Sequence, residues 1–278
     1  MEYIDLHVHS NCSDGTLSPA ELAAYAAEKG LAAFALTDHD TAEGISEAAK
    51  AAALNQIELV PGIEFSTEYE GREVHILGLD IRPEQEDFAR HLDFFQKSRE
   101  NRNEEMARLL RQKAGFDIYL EEIQEANKDS LITRAHFGRW LVDKGYVSSI
   151  KEVFARYIGD GCPCFVPKQY TEPKNAIRLI RNAGGTAVLA HPLLYRFSGE
   201  KLAACVADLK EAGLQGLEAV YSANTGADES RMRSLARKLN LKISGGSDFH
   251  GKNKPLIDLG TGKGNLRIPY EILENLRA

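Results

Sequence analysis

The chain has 278 residues, of which 43% are hydrophobic, so it can bury one large core or two modest ones. Its 41 acidic residues outnumber its 34 basic ones, and the formal net charge of -7 argues against a general electrostatic grip on duplex DNA. The four cysteines make no disulfide framework, the N-terminal residues show no charged n-region or apolar h-region, and no run approaches a membrane span. We therefore expect a soluble protein of the reducing cytoplasm with no membrane partner.

The first predicted strand leads into two histidines. Residues 3–6 predict a short, mostly buried strand, His7 and His9 follow, and Asp14 lies in an Asp-Gly turn just beyond. Side chains two apart in a strand point to the same face, so His7 and His9 are suited to hold one metal ion. Asp14 would add a carboxylate to the same site or to a neighbouring one. The alternative is a pair of histidines on an exposed strand end, and this stretch alone does not decide between the two.

Helices and strands alternate through the rest of the first 82 residues. Helices are predicted from Pro19 to a stop at Gly30 and over about 41–54, and strands over 31–36, 57–60 and 72–81. Asp38 and His39 follow the first of these strands and Glu64 follows the second. His75 lies inside the third.

The character of the chain changes at about residue 83. Residues 84–114 predict a long amphipathic helix, and three shorter helical pieces follow up to about residue 158, one of them capped by Thr133. This block carries little strand signal. We therefore expect an inserted helical subdomain over 83–166 that binds substrate, between two parts, 1–82 and 167–278, of one metal-binding barrel domain.

Strand–helix alternation resumes after the insertion. Each unit is a helix, a glycine or asparagine stop, an apolar strand and then polar residues, among them His191, Asp248 and His250. This order is typical of a parallel sheet covered by helices, and a closed barrel is its commonest form at this length. The glycine-rich residues 260–264 lack the spacing of a phosphate-binding loop and predict a turn.

Six of the eight histidines belong to predicted strands or their C-terminal ends, namely His7, His9, His39, His75, His191 and His250. Active sites in α/β folds are built at that edge of the sheet, and scattered structural histidines would not select it. Four carboxylates fall at the same edge: Asp14, Asp38, Glu64 and Asp248. This set is larger than one tetrahedral ion needs, and it suits two or three divalent ions that share bridging oxygens.

Taken in order, these segments resemble the successive motifs of the PHP (polymerase and histidinol phosphatase) superfamily. The matching motifs are Asp5-Leu6-His7-Val8-His9-Ser10 with Asp14-Gly15, Thr37-Asp38-His39, Pro61-Gly62-Ile63-Glu64, Ala190-His191-Pro192 and Gly246-Ser247-Asp248-Phe249-His250. They span the chain and keep the family's order. The insertion further resembles that of stand-alone bacterial PHP phosphoesterases, which act on nucleoside 3′,5′-bisphosphates and on the 5′ ends of short RNAs.

The resemblance implies an α/β fold based on a distorted (β/α)7 barrel with a trinuclear metal centre. It assigns nine metal ligands, which are His7, His9, Asp14, His39, Glu64, His75, His191, Asp248 and His250. Glu64 would bridge two ions, and Asp38 would stand behind the ligands and orient an imidazole or a water. Mn, Fe and Zn all suit such ligands, so the resemblance leaves the metal open, along with a count of two or three ions.

The resemblance also implies a reaction. Closely spaced cations lower the pKa of a shared water toward about 7, and the resulting metal-bound hydroxide would remove the 3′-phosphate of a nucleoside 3′,5′-bisphosphate. The leaving oxygen would take its proton from His191 or from a water on the metals. The 5′ end of a short RNA is a further expected substrate, through 5′-to-3′ exonuclease activity. The alternatives are a phosphatase of another metabolite, such as histidinol phosphate, and a non-catalytic metal-binding accessory domain.

Basic residues of the insertion suggest where a second phosphate binds. Residues 97–113 hold six basic and three acidic side chains, and Arg99 and Arg102 share one helix face. Arg134 and His136 open a later helix, whose N-terminus favours anions. We expect the second phosphate to contact Arg99, Arg102, Arg134, His136 and Lys168. A solvated helix face is the alternative for the first group, and the sequence does not indicate an oligomeric state.

Overall fold

The structure, a computed structural model, describes residues 2–127 and 132–278. The chain forms two compact units, one of Met1–Leu92 with Tyr170–Ala278 and the other of Asp93–Gln169. The inserted subdomain expected over 83–166 overlaps the second unit, and its functional limits remain a prediction. No helix within the described ranges combines the length and the apolarity that crossing a bilayer demands.

The first unit is a mixed α/β fold around one eight-stranded sheet. Its strands are β1 (Tyr3–Val8), β2 (Ala33–Leu36), β3 (Glu58–Tyr69), β4 (Arg72–Leu79), β5 (Thr186–Leu189), β6 (Gly216–Tyr221), β7 (Lys242–Gly246) and β8 (Ile268–Pro269). They lie in the order β7-β6-β5-β4-β3-β2-β1-β8. Six strands are parallel, whereas β4 and β8 run antiparallel to their neighbours.

The sheet curls into a nearly closed barrel because β7 approaches β1. The Asp248 N–H donates to the His7 carbonyl at 2.9 Å, and the His9 N–H donates to the Phe249 carbonyl at 3.0 Å. A Cβ at Gly246 would lie 2.2 Å from the Cβ of His7, so only glycine permits this approach. The predicted α/β class and distorted barrel are thus confirmed.

Two features of the barrel were not expected from the sequence. The strand β8 consists of two residues, one of them Pro269, and leaves almost no periodic signal. The strand β4 is reversed because a tight hairpin joins it to β3. Glu70 and Gly71 have φ angles of 49° and 74°, as a two-residue type I′ turn requires, while Tyr69 pairs with Arg72 on either side.

The helices are α1 (Pro19–Glu28), α2 (Ile45–Leu54), α3 (Glu86–Leu109), α4 (Leu120–Ala126), α5 (Arg134–Asp143), α6 (Ile150–Val153), α7 (Pro173–Asn182), α8 (Gly199–Glu211), α9 (Gly226–Lys238) and α10 (Glu271–Arg277). The helix α1 has the predicted capping box, in which the Ser18 hydroxyl accepts from the Glu21 N–H. The helix α2 begins at Ile45, four residues later than expected. Asp40 holds the intervening loop, since its φ is 54° and its carboxylate accepts from the Ser66 N–H at 2.8 Å.

Each unit has its own apolar core. Phe34 and Leu36 pack under α1 and α2, whereas Ala33 and Ala35 point to a second cluster that includes Leu77 and residues of α10. In the second unit, the end of α3 and its π-helical extension, Leu110–Ala114, pack against α4 and α5. Apolar side chains on both faces of the sheet thus form the core of the first unit.

Candidate metal centre

The C-terminal edge of the barrel brings together all nine side chains that the family resemblance predicts as metal ligands. Their ligand atoms form four groups, and within each group all of these atoms lie within 4.8 Å of one another. The groups are His9/Asp14/His39/His250, His7/His9/Asp248, His7/Glu64/His191 and His39/Glu64/His75. Four of the side chains belong to two groups each, so neighbouring groups have residues in common.

A bulge in β1 and the reversed direction of β4 direct histidine side chains into the centre. The pairing of β1 with β2 shifts between Asp5 and Val8, and such a bulge redirects the side chains beyond it. His7 and His9 are consequently both fully buried in the centre. His75 lies near the start of β4, and because β4 is reversed, that start falls at the C-terminal edge of its neighbours. The Ala190 N–H, just after β5, donates to the His75 carbonyl at 3.1 Å.

The Glu64 carboxylate lies at the middle of the cluster and is fully buried. Its Oε1 is 2.9 Å from the His75 Nδ1 and 2.9 Å from the His191 Nε2. Its Oε2 is 3.2–3.3 Å from ring nitrogens of His7, His9 and His39. Each carboxylate oxygen thus faces a different set of imidazoles.

Two aspartates complete the cluster near His250. The Asp14 Oδ1 lies 3.1 Å from the His250 Nε2, and the Asp248 Oδ1 lies 3.4 Å from the His250 Nδ1. Asp248 and His191 have φ angles of 60° and 23°, a region that side chains other than glycine rarely adopt. Strained backbone of this kind occurs where the surrounding structure holds a functional side chain in place.

Charges within the cluster set its protonation. Burial opposes a charge on His75, but Glu64 and Glu73 outweigh it and raise the pKa of His75 to about 9. Burial likewise opposes a charge on His7, yet the nearby carboxylates raise its pKa well above the usual value. Burial and the neighbouring histidines hold the pKa of His9 well below its usual value. Cation binding would therefore release protons from His7 and His75.

The donor atoms of the cluster fit divalent cations. The His7 Nε2, both ring nitrogens of His9, the Glu64 Oε2 and the His191 Nδ1 are buried and have no hydrogen-bond partner among the described residues. Buried polar atoms are normally paired, and each unpaired one costs free energy. Imidazole nitrogens and carboxylate oxygens that converge in this way are the ligands that Mn, Fe and Zn take in proteins.

Asp38, predicted to orient an imidazole or a water, contacts two serines. Its Oδ1 accepts from the Ser10 N–H at 2.8 Å and from the Ser13 hydroxyl at 2.5 Å, and its Oδ2 accepts from the Ser10 hydroxyl at 2.6 Å. Burial raises the pKa of Asp38 to about 6, against the serine hydrogen bonds that lower it. These contacts fix the turn that carries Asp14, and a catalytic part for Asp38 stays a prediction.

Several supporting residues were missed in the sequence. Glu218 contacts His7 and the backbone of His191, and the Tyr221 hydroxyl donates to the Asp248 Oδ2 at 2.8 Å. The Lys254 Nζ lies 2.6 Å from that same oxygen. The one signal available was an acidic residue inside the otherwise apolar run of β6.

Asp5 is a further missed residue, and it explains the glycine-rich turn. Its fully buried carboxylate accepts from the Ser247 N–H and from the Gly260 N–H, each at 2.8 Å. Gly260, Gly262 and Gly264 all have positive φ, which confirms the predicted turn. The turn supports the end of β7, from which Asp248 and His250 project.

The five predicted substrate-binding residues, Arg99, Arg102, Arg134, His136 and Lys168, all lie half-buried in the second unit. The Arg134 guanidinium lies over the Phe154 and Phe165 rings, 5.7 and 5.6 Å from their centroids, and 3.4 Å from an Asp160 oxygen. The His136 Nδ1 accepts from the Thr133 N–H at 3.0 Å and so caps α5, while burial lowers its pKa. A phosphate-binding part for these residues remains a prediction.

Comparisons with known proteins agree with this geometry. The PHP domain family matches residues 5–187. A 5′-3′ exoribonuclease from Haemophilus influenzae is 38% identical over 262 residues, which cover 91% of this chain and 95% of that protein. A 3′,5′-nucleoside bisphosphate phosphatase from Chromobacterium violaceum is 35% identical, over 94% of this chain and 91% of its own length. A metal-dependent phosphoesterase structure from Bifidobacterium adolescentis superposes with a TM-score of 0.82 at 29% identity, covering 99% of this chain and 96% of its own.

Proposed function

The chain belongs to the PHP domain family and is a metal-dependent phosphoesterase, and on that premise we propose that it removes the 3′-phosphate of nucleoside 3′,5′-bisphosphates. The observation that carries the proposal is the Glu64-centred cluster, in which four donor groups have residues in common. The substrate class is supported by the relatives, which are named for nucleoside bisphosphates and for RNA. The exoribonuclease among them favours a second activity, removal of nucleotides from the 5′ end of short RNA.

The nine clustered side chains would hold the cations. Two or three ions suit the four overlapping groups, and Mn, Fe and Zn suit the ligand types. When bound, the cations would stabilise charge on the phosphoryl oxygens and activate a water for attack on phosphorus. Glu64, which faces separate sets of histidines with its two oxygens, would join neighbouring ions.

Exposure indicates the side from which the phosphate enters. The side chains of Asp14, His39 and His75 are 43%, 21% and 18% exposed, whereas those of His7 and His9 are fully buried. The scissile phosphate would therefore approach over Asp14, His39 and His75. His191, whose ring is nearly buried beside Glu64, is the protein group that would donate a proton to the leaving oxygen, unless a water does so.

We assign binding of the second phosphate to the second unit, which would be the substrate-binding part of the chain. Arg134 and His136 stand in the first turn of α5, where backbone N–H groups and the helix dipole favour an anion. The Asn103 side chain donates to the Ile132 carbonyl at 3.0 Å and so ties α3, beside Arg102, to the start of α5. Arg99, Arg102, Arg134, His136 and Lys168 would together hold the phosphate that is not cleaved.

Chromatographic analysis of the products from a panel of substrates tests the proposal, because the phosphatase activity releases phosphate and the exonuclease activity releases a nucleotide. The panel holds adenosine 3′,5′-bisphosphate, 5′-AMP, 3′-AMP, histidinol phosphate and a 5′-phosphorylated dinucleotide, each with added Mn. We expect the highest kcat/KM on the bisphosphate with 5′-AMP as product, and slower conversion of the dinucleotide. A preference for histidinol phosphate, or equal rates on 3′-AMP and the bisphosphate, would contradict the proposed substrate.

A further inference from the structure

Tyr195 is a buried tyrosine whose hydroxyl lies between the backbone of β4 and the backbone that follows β5. The hydroxyl accepts from the His75 N–H at 2.9 Å and donates to the Ala190 carbonyl at 2.5 Å. The His75 carbonyl, a second acceptor near this hydroxyl, is farther away at 3.4 Å. One side chain thus connects His75 to the residue that precedes His191, and both of these histidines belong to the candidate metal centre.

The Tyr195 hydroxyl replaces a direct hydrogen bond between two strands. The strands β4 and β5 run antiparallel, and Ile76 pairs with Leu189, so His75 and Ala190 form the next pair along. In a regular antiparallel pair of this kind, the two residues exchange both N–H to carbonyl bonds. Here the Ala190 N–H donates directly to the His75 carbonyl at 3.1 Å, but the return bond passes through the Tyr195 hydroxyl. The hydroxyl therefore separates the His75 nitrogen from the Ala190 oxygen.

A strained turn after β5 brings Tyr195 back to this pair. His191 has a φ of 23°, residues Pro192–Tyr195 form one 3-10 turn, and Arg196 has a φ of 55°. The Leu194 N–H closes the turn by donating to the His191 carbonyl at 2.9 Å. Positive φ at residues other than glycine costs free energy and persists where the surrounding structure enforces it. The turn that begins at His191 thus returns a hydroxyl to the backbone just before His191.

Both histidines beside the Tyr195 hydroxyl face the same oxygen of Glu64. The His75 Nδ1 and the His191 Nε2 each lie 2.9 Å from the Glu64 Oε1. Their rings meet edge to face with centroids 5.1 Å apart, and the Tyr195 ring meets the His191 ring in the same way at 5.7 Å. The Glu64 Oε2 faces three other imidazoles, those of His7, His9 and His39. The spacing between His75 and Ala190 therefore acts on the Oε1 side of the carboxylate.

We propose that Tyr195 is a positioning residue that sets the spacing of His75 and His191 around the Glu64 Oε1, where these two histidines would hold a cation. Its hydroxyl keeps the two backbones apart, and its ring packs against the His191 ring. Its hydrogen bonds within the described ranges reach the His75 and Ala190 backbones, so the histidines that face the Oε2 do not depend on it directly. This inference rests on the proposed function, which it deepens by assigning a residue to one side of the metal centre.

The substitution Tyr195→Phe removes the hydroxyl and keeps the ring. The His75 N–H and the Ala190 carbonyl then lose their shared partner and can bond directly, which draws the two backbones together. The His75 and His191 rings move with their backbones and no longer fit the Oε1. The matched control is Tyr270→Phe, which removes a hydroxyl that donates to the Glu58 Oε2 at 2.5 Å, at the start of β3 and so at the opposite edge of the sheet.

The test locates Mn²⁺ by anomalous scattering in crystals of the wild type and both variants, soaked at a series of Mn²⁺ concentrations. For Tyr195→Phe we expect half-occupancy of the peak beside the Oε1 to require about 10- to 100-fold more Mn²⁺, with the peaks beside the Oε2 filling close to wild-type concentrations. Metal-free crystals of this variant should show the His75 nitrogen bonded directly to the Ala190 oxygen. Both variants should unfold at somewhat lower temperatures, because each loses hydrogen bonds, and the control should fill every peak as the wild type does.

Three results would overturn the inference. One is a wild-type map without a peak beside the Oε1. Another is a Tyr195→Phe variant whose peaks all fill as in the wild type, for example because a water takes the place of the hydroxyl. The third is an equal loss of occupancy at every peak, because a tyrosine that only supports the fold would act in this way. A wild type that fills the peak beside the Oε1 but releases no phosphate from bisphosphates would refute the proposed substrate alone.

Discussion

Asp38 and Glu218 are single residues that support the clustered side chains through hydrogen bonds without belonging to the cluster. Neither belongs to the nine clustered side chains, yet each buried carboxylate receives hydrogen bonds from residues that carry or adjoin those side chains. The clustered side chains themselves could be predicted, because histidines and carboxylates follow apolar strands and the family resemblance selects nine of them. The supporting residues could not, since Glu218 and His7 are separated by 211 residues and only the fold makes them neighbours.

Replacing Asp38 by alanine should loosen the turn before Asp14. The Ser10 N–H and two serine hydroxyls would lose their acceptor, and a buried donor left unpaired costs about 1–3 kcal/mol in the free energy of unfolding. We expect that loss in urea unfolding of the metal-free protein, with weaker zinc binding. Ser13→Ala, which removes one of these hydrogen bonds, should cost about 0.5–1.5 kcal/mol. Unchanged stability and zinc affinity with abolished turnover would indicate a directly catalytic Asp38.

At the scale of elements, the alternation of helices and strands predicted the barrel, but local backbone devices decide where the side chains point. If the side chains of β1 alternated strictly between its two faces, the residues after Leu6 would keep that alternation. The bulge between Asp5 and Val8 interrupts it. The reversal of β4 depends on two positive φ angles at Glu70 and Gly71. Composition and periodicity carry little information about either device, since each involves one or two residues.

The approach of β7 to β1 gives a prediction at this scale. In Gly246→Ala the added methyl group would overlap the His7 backbone and Cβ, so the strands must separate. Overpacking of this kind costs about 1–3 kcal/mol, and because His7 moves, metal affinity should fall as well. Gly226→Ala is the matched control, since a Cβ there meets nothing within 4 Å. Equal melting temperatures and zinc affinities for the two variants would contradict this description of barrel closure.

For the whole molecule, we assign metal binding to the barrel unit and recognition of the second phosphate to the unit of residues 93–169. The order of motifs along the chain sufficed to predict the first, because parallel strands deliver their C-terminal ends to one edge. It did not suffice for the second, since basic residues on helices serve solvation, packing and ligand binding alike. Arg134, for example, lies over two phenylalanine rings as well as near the N-terminus of α5.

Kinetics of an arginine variant test this division between the units. Arg134→Ala should lower kcat/KM for adenosine 3′,5′-bisphosphate about 10- to 100-fold, because a charge-assisted hydrogen bond contributes about 1.5–3 kcal/mol. The kcat/KM for 3′-AMP should stay unchanged. Arg139→Ala, on the exposed face of the same helix, is the matched control and should keep the wild-type ratio. If Arg134→Ala cleaves both substrates in the wild-type ratio, this arginine does not read a second phosphate.

Metal removal provides a prediction for the complete molecule. Dialysis against a chelator should abolish phosphate release, since the donor atoms of the centre then face one another without a cation. Added Mn²⁺ should restore it. Protonated His7 and His75 must lose their protons on binding, so metal loading at fixed Mn²⁺ should weaken as the pH falls. Full turnover in the chelator-treated protein, checked by elemental analysis, would refute metal dependence.

The most direct measurement is the anomalous scattering of crystals grown with Mn²⁺, recorded at the manganese absorption edge. It locates the ions without reference to any assay of activity. We predict two or three strong peaks at the mouth of the barrel, each within bonding distance of the clustered histidines and aspartates, and with the Glu64 carboxylate between two of them. A map without peaks there, or with manganese bound elsewhere on the chain, would contradict the account.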